Sequence, residues 1–220
     1  DASPELSFCL IADNFSGAGG GAYIRDPSSV VMTNTTISNN SAGSYGNAVY
    51  MRDGAKLDLL NTIVWGNGIS QIYFRPEGQD LELNASHSII ENGQAGIEVN
   101  NNGDLNWGDG NLSDDPFFCP EGNYYVRENS PCLNSGLNGS LIGCFQSDCG
   151  PLNMGPIWYV DINGDNQNDG SLEAPFGTIS RAMTSAQNGD TIRITSGVYT
   201  EIIDFVNKQV VLESMAFYLN

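Results

Sequence analysis

The sequence repeats a short motif about every 25 residues. Four segments end in an asparagine that follows a β-branched aliphatic residue by three positions, and these asparagines are 26, 27 and 25 residues apart (40 − 14, 67 − 40 and 92 − 67). Within the segments apolar and polar residues alternate at period two, as they do in strands. A β-rich repeat that returns to the same point after three strands predicts an all-β fold, a right-handed parallel β-helix solenoid. The asparagines are Asn14, Asn40, Asn67 and Asn92.

Each coil of such a solenoid stacks like residues on like, because no single coil can bury its apolar face alone. The four asparagines are expected to form a ladder at one corner, since asparagine tolerates left-handed backbone and its amide can bond the next amide along. Cys9 falls in one inward column and is expected to be a buried free thiol. The predicted inward columns are Ile24–Met51–Phe74–Val99, Ala22–Val49–Ile72–Ile97 and Cys9–Thr35–Thr62–His87.

Charge and composition exclude several classes of function. The net charge is −18, from 8 Lys and Arg against 26 Asp and Glu. Such a surface argues against nucleic acid and anionic membranes as partners, and it is compatible with a secreted protein that binds divalent cations. No apolar run is long enough to span a bilayer. A hydrophobic content of 40% with 26 glycines is that of a folded, turn-rich protein rather than a disordered chain.

Four of the five cysteines lie within a loop-like tail that follows the repeats. Their density suggests an oxidising compartment and one or two disulfides. The preferred pairing is Cys119–Cys132 with Cys144–Cys149, although four cysteines allow three connectivities. This tail, from residue 104 onwards, is expected to cover the open end of the solenoid, where an exposed edge would otherwise promote aggregation.

The chain is expected to contain two domains, residues 1–150 and 157–220, joined by a linker at 151–156. The second begins with a strand at 157–160 and contains one amphipathic helix over about 178–187, whose apolar residues recur at helical spacing. Further strands are predicted at 191–195, 198–205 and 210–214, and the helix is expected to plug a first coil. The chain begins at Asp1 and stops directly after a strand, so we interpret it as a piece of a longer polypeptide.

Three sequence patterns resemble known β-helix proteins. In the second domain, YVD-x-NG-x(3)-NDGS-x(2)-AP-F-x-TI followed by NGDTI and SGVYTE resembles the N-terminal cap of right-handed parallel β-helix proteins of the pectin-lyase-like superfamily. FSGAGGGAYI and TTISNNSA resemble repeat coils of that superfamily, including those of polymorphic outer-membrane-type surface proteins. The tail DPFF…NSPCLNSG…IG resembles the closing segment of large bacterial secreted β-helix proteins.

The resemblance implies the end of one β-helix domain followed by the start of a second, in a secreted bacterial surface protein. It is specific for fold and weak for activity. The superfamily includes polysaccharide lyases, glycoside hydrolases, epimerases, adhesins and passive stalks.

Tyrosine and arginine recur two residues apart on the predicted outer face of the coils. Because neighbouring coils are ~4.8 Å apart, a stripe of rings beside guanidinium groups predicts a site for an acidic glycan, held by ring stacking and bidentate hydrogen bonds. The alternative is that strands favour tyrosine and that the arginines form solvated surface pairs of little energy. The residues are Tyr23, Tyr50, Tyr73, Arg25, Arg52 and Arg75.

An acidic loop in the second domain is the candidate metal site. Asp161, Asn163, Asp165 and Asp169 place oxygen-bearing side chains at alternate positions near glycines, which resembles a calcium loop. The pattern departs from an EF-hand, since its sixth position is Asn166 and no glutamate stands at its twelfth. The alternative is a tight turn in which the aspartates accept hydrogen bonds from backbone amides. Calcium is the one cofactor that the sequence predicts.

Catalysis by paired carboxylates finds less support. Asp58, Glu82 and Glu98 occupy outward strand positions without stacking into one cluster, and no basic residue is an obvious proton acceptor beside them. We therefore expect no catalytic residue here, and predict a non-catalytic extracellular structural or adhesive β-helix whose partner is a polysaccharide or cell-surface glycan. The alternative is a fragment of a polysaccharide lyase or glycoside hydrolase with its active site outside this chain.

Overall fold

The computed structural model describes residues 3–120, 122–205 and 208–217, and the chain divides into two compact units, Asp1–Gly150 and Pro151–Asn220. Three parallel sheets run along the first unit. The first sheet holds β1 (Glu5–Ser7), β5 (Ser29–Thr33), β9 (Lys56–Leu60), β12 (Leu81–Ser86) and β15 (Gly103–Trp107). The second holds β2 (Leu10–Ala12), β6 (Thr36–Ser38), β10 (Ile63–Trp65) and β13 (Ile89–Ile90). The third holds β4 (Ala22–Ile24), β8 (Val49–Met51), β11 (Ile72–Phe74) and β14 (Ile97–Glu98).

Successive strands of each sheet come from successive coils, which confirms the predicted parallel β-helix. The third sheet pairs Ala22, Val49, Ile72 and Ile97 in one column and Ile24, Met51 and Phe74 in another. Val99, the predicted fourth member of the second column, follows the end of β14 and still packs against the core. Strand alternation thus places every second residue inward, and these residues fill a continuous apolar core.

The asparagine ladder forms over three coils and then changes partner. The side-chain amide of Asn14 donates to the Asn40 carbonyl at 2.9 Å, and that of Asn40 donates to the Asn67 carbonyl at 3.0 Å. The Asn67 amide donates to the Gln71 side chain at 2.9 Å instead of to Asn92. Asn92 has a left-handed backbone and precedes a short 3₁₀ helix, Gly93–Gly96, so the fourth coil turns differently at this corner.

The column predicted to contain His87 is wrong by one residue in the fourth coil. The pairing of Ile63 with Ile89 aligns Thr62 with Ser88, whose hydroxyl accepts a hydrogen bond from the Thr62 amide at 3.0 Å. His87 precedes the strand in the left-handed conformation, with φ of 47°. Cys9, at the other end of the column, is a free thiol as expected but is only partly buried.

The predicted start of the tail at residue 104 is wrong, because β15 pairs in register with β12 and continues the first sheet. The segment after β15 lies against the outer face of the second sheet, so the prediction that the tail covers the open end of the solenoid is also wrong. Ile63 and Ile89 project outward from this sheet and pack against Val126, Cys132 and Ile142 of the tail. An outward apolar pair on a lateral sheet needs a cover, and the tail provides it. Several hydrogen bonds hold it there, among them one from the Asn34 side chain to the Leu141 carbonyl at 2.8 Å and one from the Gly143 amide to the Asn61 carbonyl at 2.7 Å. The tail contains β16 (Val126–Arg127), a 3₁₀ turn (Leu137–Gly139) and β17 (Ser147–Cys149).

The predicted disulfide pairing is also wrong. Among the described residues the one disulfide joins Cys119 to Cys149, while Cys132 and Cys144 are free. Pairing of β16 with β17 decides this, because it brings Cys149 beside Arg127, on the strand that Cys119 faces. Cys132 is instead buried in the tail core, where burial raises the pKa of its thiol to about 12.

The second unit is a small parallel sheet covered by one helix. Its strands are β18 (Ile157–Val160), β19 (Thr191–Ile194) and β20 (Val211–Ser214), with α1 spanning Ile179–Ser185 and a 3₁₀ turn at Met215–Phe217. The helix forms within the predicted range of about 178–187 but ends at Ser185, and Thr178 caps its start, with the Thr178 hydroxyl accepting a hydrogen bond from the Arg181 amide at 3.2 Å. Its apolar face packs on Trp158 and Phe176. The strand predicted at 198–205 is wrong, because that segment is irregular.

Glu201, within this irregular segment, provides the helix with its N-terminal carboxylate. Its two oxygens accept hydrogen bonds from the Ile179 amide at 2.9 Å and the Ser180 amide at 2.8 Å. Burial raises the pKa of this carboxyl, but the hydrogen bonds from Ser180 and Ile179 outweigh that effect and leave the pKa below its usual 4.5. Because the pKa is lowered on folding, the charged carboxylate stabilises the fold fully above the usual value of 4.5. This stabilisation is lost as the pH falls through the pKa of the folded state.

We expect Glu201→Gln to lower the free energy of unfolding of the second unit by about 1–2 kcal/mol at pH 7, because a neutral amide is a weaker cap for helix N–H groups. Hydrogen exchange of peptides from residues 151–205 in the full chain measures the change. The difference from wild type should shrink below pH 4.5, the usual carboxyl value. Glu173→Gln, at an exposed carboxylate, is the matched control and should change little. A pH-independent difference would contradict this role.

Candidate functional site

The three predicted tyrosines form one continuous column on the third sheet. Strand register aligns Tyr23 with Tyr50 and Tyr50 with Tyr73. The first pair of rings has centroids 5.0 Å apart and the second 5.7 Å, and both pairs are stacked. Since the rings follow the spacing of the coils, their positions are set by the strand register of the backbone rather than by the rotamers of individual side chains.

A fourth tyrosine, which sequence reasoning missed, completes this aromatic column. Tyr45 belongs to the connection between strands, and its ring stacks on Tyr73 with centroids 4.5 Å apart. Tyr23 and Tyr45 are 45% and 52% exposed, whereas Tyr50 and Tyr73 are buried, with only 9% and 8% of their surface exposed. Burial raises the pKa of both inner hydroxyls. Stacking on neighbours occupies the inner rings, so Tyr23 and Tyr45 are the rings available to a ligand.

The arginines beside this column are held by carboxylates of the same face. Arg25 pairs with Asp26 at 3.5 Å, and Arg75 pairs with Asp53 at 3.7 Å and with Glu77 at 3.3 Å.

Arg52 bonds both the Asp53 carboxylate and the Tyr23 hydroxyl. These two bonds raise the pKa of Arg52. Three guanidinium groups therefore face three carboxylates, and the face offers oriented N–H donors with little net positive charge.

The outward carboxylates considered for catalysis separate between two sheets. Asp58 and Glu82 lie on the first sheet, whereas Glu98 lies on the third. Glu82 pairs with Lys56 at 2.7 Å, and this bond holds the pKa of Glu82 below its usual range. The Asn84 amide links Asp58 and Glu82, with N–O distances of 2.6 and 3.1 Å.

Asp58 and Asn84 line a groove of about 650 Å³ over the first sheet, together with Asn106, whose side-chain amide donates to the Asn84 carbonyl at 2.8 Å. Its polar groups thus mainly bond one another across coils. These hydrogen bonds stabilise the outer face of the sheet.

The acidic loop of the second unit forms successive tight turns. Asp161, Asp165 and Asp169 each accept a hydrogen bond from the backbone amide two residues ahead, at 2.8, 2.9 and 3.0 Å. The bond from the Asn163 amide lowers the pKa of Asp161. Within the described ranges, no group of three or more His, Cys, Asp and Glu side chains is arranged to hold a metal ion. Calcium binding by these aspartates and Asn163 stays a prediction.

Comparison with known proteins defines the class. The chain belongs to the right-handed β-helix family, because the profile described as "Right handed beta helix region" matches residues 3–120. A second profile, described as a protein of unknown function (DUF1565), matches residues 162–205.

The uncharacterized protein YwoF of Bacillus subtilis (strain 168) is 37% identical over 75 residues, which are 33% of this chain and 16% of YwoF. The chain therefore covers about a sixth of that relative. No solved structure matches. In the parts of the chain that the structure describes, no helix combines the length and apolar character of a membrane span.

Proposed function

We propose that this chain is part of a non-catalytic, extracellular structural or adhesive β-helix that binds a glycan along the aromatic column. The observation that carries the proposal is the continuous stack of four tyrosines, with two exposed rings supported by two buried ones. Sugar rings have an apolar face that packs on aromatic rings, while their hydroxyls accept hydrogen bonds from guanidinium and phenol groups.

The charge balance of this face favours a neutral glycan over the acidic one suggested by the arginines alone. Each arginine already has a carboxylate partner, so an anionic sugar would have to displace it. The chain as a whole carries −18, which repels anions at distances up to the screening length. A neutral sugar can instead accept N–H donors that the carboxylates leave free, with no charge to desolvate.

The buried tyrosines give the site its rigidity. Tyr50 lies between Tyr23 and Tyr73, and Tyr45 closes the stack on Tyr73. Because packing already fixes these rings, a ligand orders few side chains on binding, and less of the interaction energy is lost to conformational entropy.

Isothermal titration calorimetry of the full chain tests the proposal with linear hexasaccharides of β-linked glucose, β-linked N-acetylglucosamine and galacturonate. We expect a neutral hexasaccharide to bind. We expect Tyr23→Ala with Tyr45→Ala to weaken that binding by about tenfold or more, since each ring contact contributes ~0.5–1.5 kcal/mol.

Phe8→Ala is the matched control, because Phe8 is an aromatic residue of the same unit and is 67% exposed. It should bind as wild type does. Absence of binding to any of the three hexasaccharides would overturn the proposal, as would equal affinities in wild type and the double variant. Tighter binding of the galacturonate would overturn the assignment of a neutral ligand.

A further inference from the structure

A second groove, of about 560 Å³, lies at the asparagine corner between the second and third sheets. We call it the corner groove. Its floor is the asparagine ladder, whose side chains bond one another and the backbone. Two outward columns from three successive coils line its sides, Asp13–Asn39–Gly66 and Phe15–Ser41–Gly68.

The corner groove exists because both columns lose volume from the first coil to the third. Phe15 and Ser41 are paired in two short strands, β3 (Phe15–Ser16) and β7 (Ser41–Ala42), and Gly68 follows in the third coil. The phenyl ring of Phe15 is 77% exposed. An aromatic ring at one end and small residues beyond it leave a trough whose coils advance ~4.8 Å at each step.

A hydrogen-bond donor is fixed at the small-residue end of the corner groove. The side-chain carbonyl of Asn47 accepts from the Ala42 amide at 3.0 Å, which sets the orientation of the Asn47 amide group. Its nitrogen lies against Gly68, where an added Cβ would approach it to 2.6 Å. Gly68 also has φ of 97°. Both the backbone and the space at residue 68 therefore require glycine, and this glycine leaves the Asn47 amide accessible.

An acceptor is fixed at the other end. The Asp13 carboxylate accepts from the Asn39 side-chain amide and from the Tyr124 hydroxyl, the latter at 2.8 Å. Burial and the bond to Asp13 raise the pKa of Tyr124 to about 12, so its hydroxyl remains a donor at neutral pH. A carboxylate oxygen has lone pairs beyond these two bonds, and they can accept further donors such as sugar hydroxyls.

We propose that the corner groove binds one pyranose unit of a neutral glycan. The apolar face of the sugar packs on Phe15, its hydroxyls donate to the Asp13 carboxylate, and they accept from the Asn47 amide. The carboxylate disfavours an anionic ligand. This site goes beyond the aromatic column proposed above, because it uses different residues and needs none of the tyrosines of that column.

Titration of ¹⁵N-asparagine-labelled full chain with the two neutral hexasaccharides named above tests this site by NMR. We expect the Asn47 side-chain amide to shift on binding. Phe15→Ala should weaken the affinity obtained from that shift by about tenfold, the size of one aromatic contact. Ser41→Leu, which fills the groove and keeps Phe15, should abolish the shift.

The variants separate this proposal from the first one. Tyr23→Ala, on the third sheet, should leave the Asn47 response intact, and Phe8→Ala should change neither site. Both Phe15 and Ser41 are exposed, and an otherwise unchanged asparagine spectrum verifies that their variants fold. An Asn47 amide that does not respond to either sugar, or responds equally in wild type and both groove variants, overturns the corner site and leaves the aromatic column untouched.

Discussion

Replacing Asn67 by alanine is expected to lower the free energy of unfolding of the first unit by about 2–4 kcal/mol. Asn67 is buried. Its carbonyl accepts from the backbone and side-chain amides of Asn40, at 2.9 and 3.0 Å. Its own amide donates to the Ile37 carbonyl at 3.0 Å and to Gln71 at 2.9 Å. Alanine would leave several of these groups buried without partners, and each unsatisfied group costs about 1–3 kcal/mol before the coil relaxes.

Hydrogen exchange of the full chain measures this change, since it reports the opening free energy of each peptide and so separates the two units. The matched control is Asn14→Ala, the same substitution in the same ladder at an exposed position. Water can replace the bonds of Asn14, so its loss should be below about 1 kcal/mol. Equal losses at the two positions would contradict the importance of the buried ladder.

The ladder also illustrates how far the sequence determines this fold. The nearly constant spacing of the asparagines predicted the coil, its columns and the stack of Tyr23, Tyr50 and Tyr73, because a solenoid places residues one period apart next to each other in space. The period does not fix local register. In the fourth coil the strand is shifted by one residue relative to the asparagine spacing, so His87 lies outside its predicted column. At the corner, Gln71 rather than Asn92 is the hydrogen-bond partner of Asn67.

Long-range contacts outside the repeat were beyond sequence reasoning. Tyr45 lies between strands, where no period constrains it, yet its ring completes the aromatic column. The corner groove depends on the Asn47 amide reaching across to Gly68. The signal for it is the decrease in size from Phe15 to Ser41 to Gly68, which becomes visible only once the coils are aligned.

The tail gives the clearest case of geometry overriding proximity in sequence. The predicted pairing joined cysteines that are adjacent in sequence and so closed short loops. The pairing of β16 with β17 instead brings Cys119 and Cys149 together, which closes a loop with a sequence separation of 30 residues. The enclosed segment is the part that bonds the solenoid through the Leu141 carbonyl and the Gly143 amide. The disulfide therefore closes the loop of the tail that covers the second sheet. Its removal should weaken the hydrogen bonds of the tail to Asn34 and Asn61, which are far from either cysteine in sequence.

Replacing Cys119 and Cys149 together by serine is expected to lower the free energy of unfolding by about 3.5 kcal/mol, because the unfolded chain gains the conformational entropy of an open loop of this length. Hydrogen exchange should rise in the tail and at the strands beneath it. Cys9→Ser is the control, because its thiol is free and only partly buried and donates a weak hydrogen bond to the Ser7 carbonyl at 3.4 Å, and it should change little. Alkylation of the denatured, unreduced protein tests the pairing itself. Cys9, Cys132 and Cys144 should react while Cys119 and Cys149 stay protected. Protection of Cys132 would contradict this pairing and the closed loop of the tail.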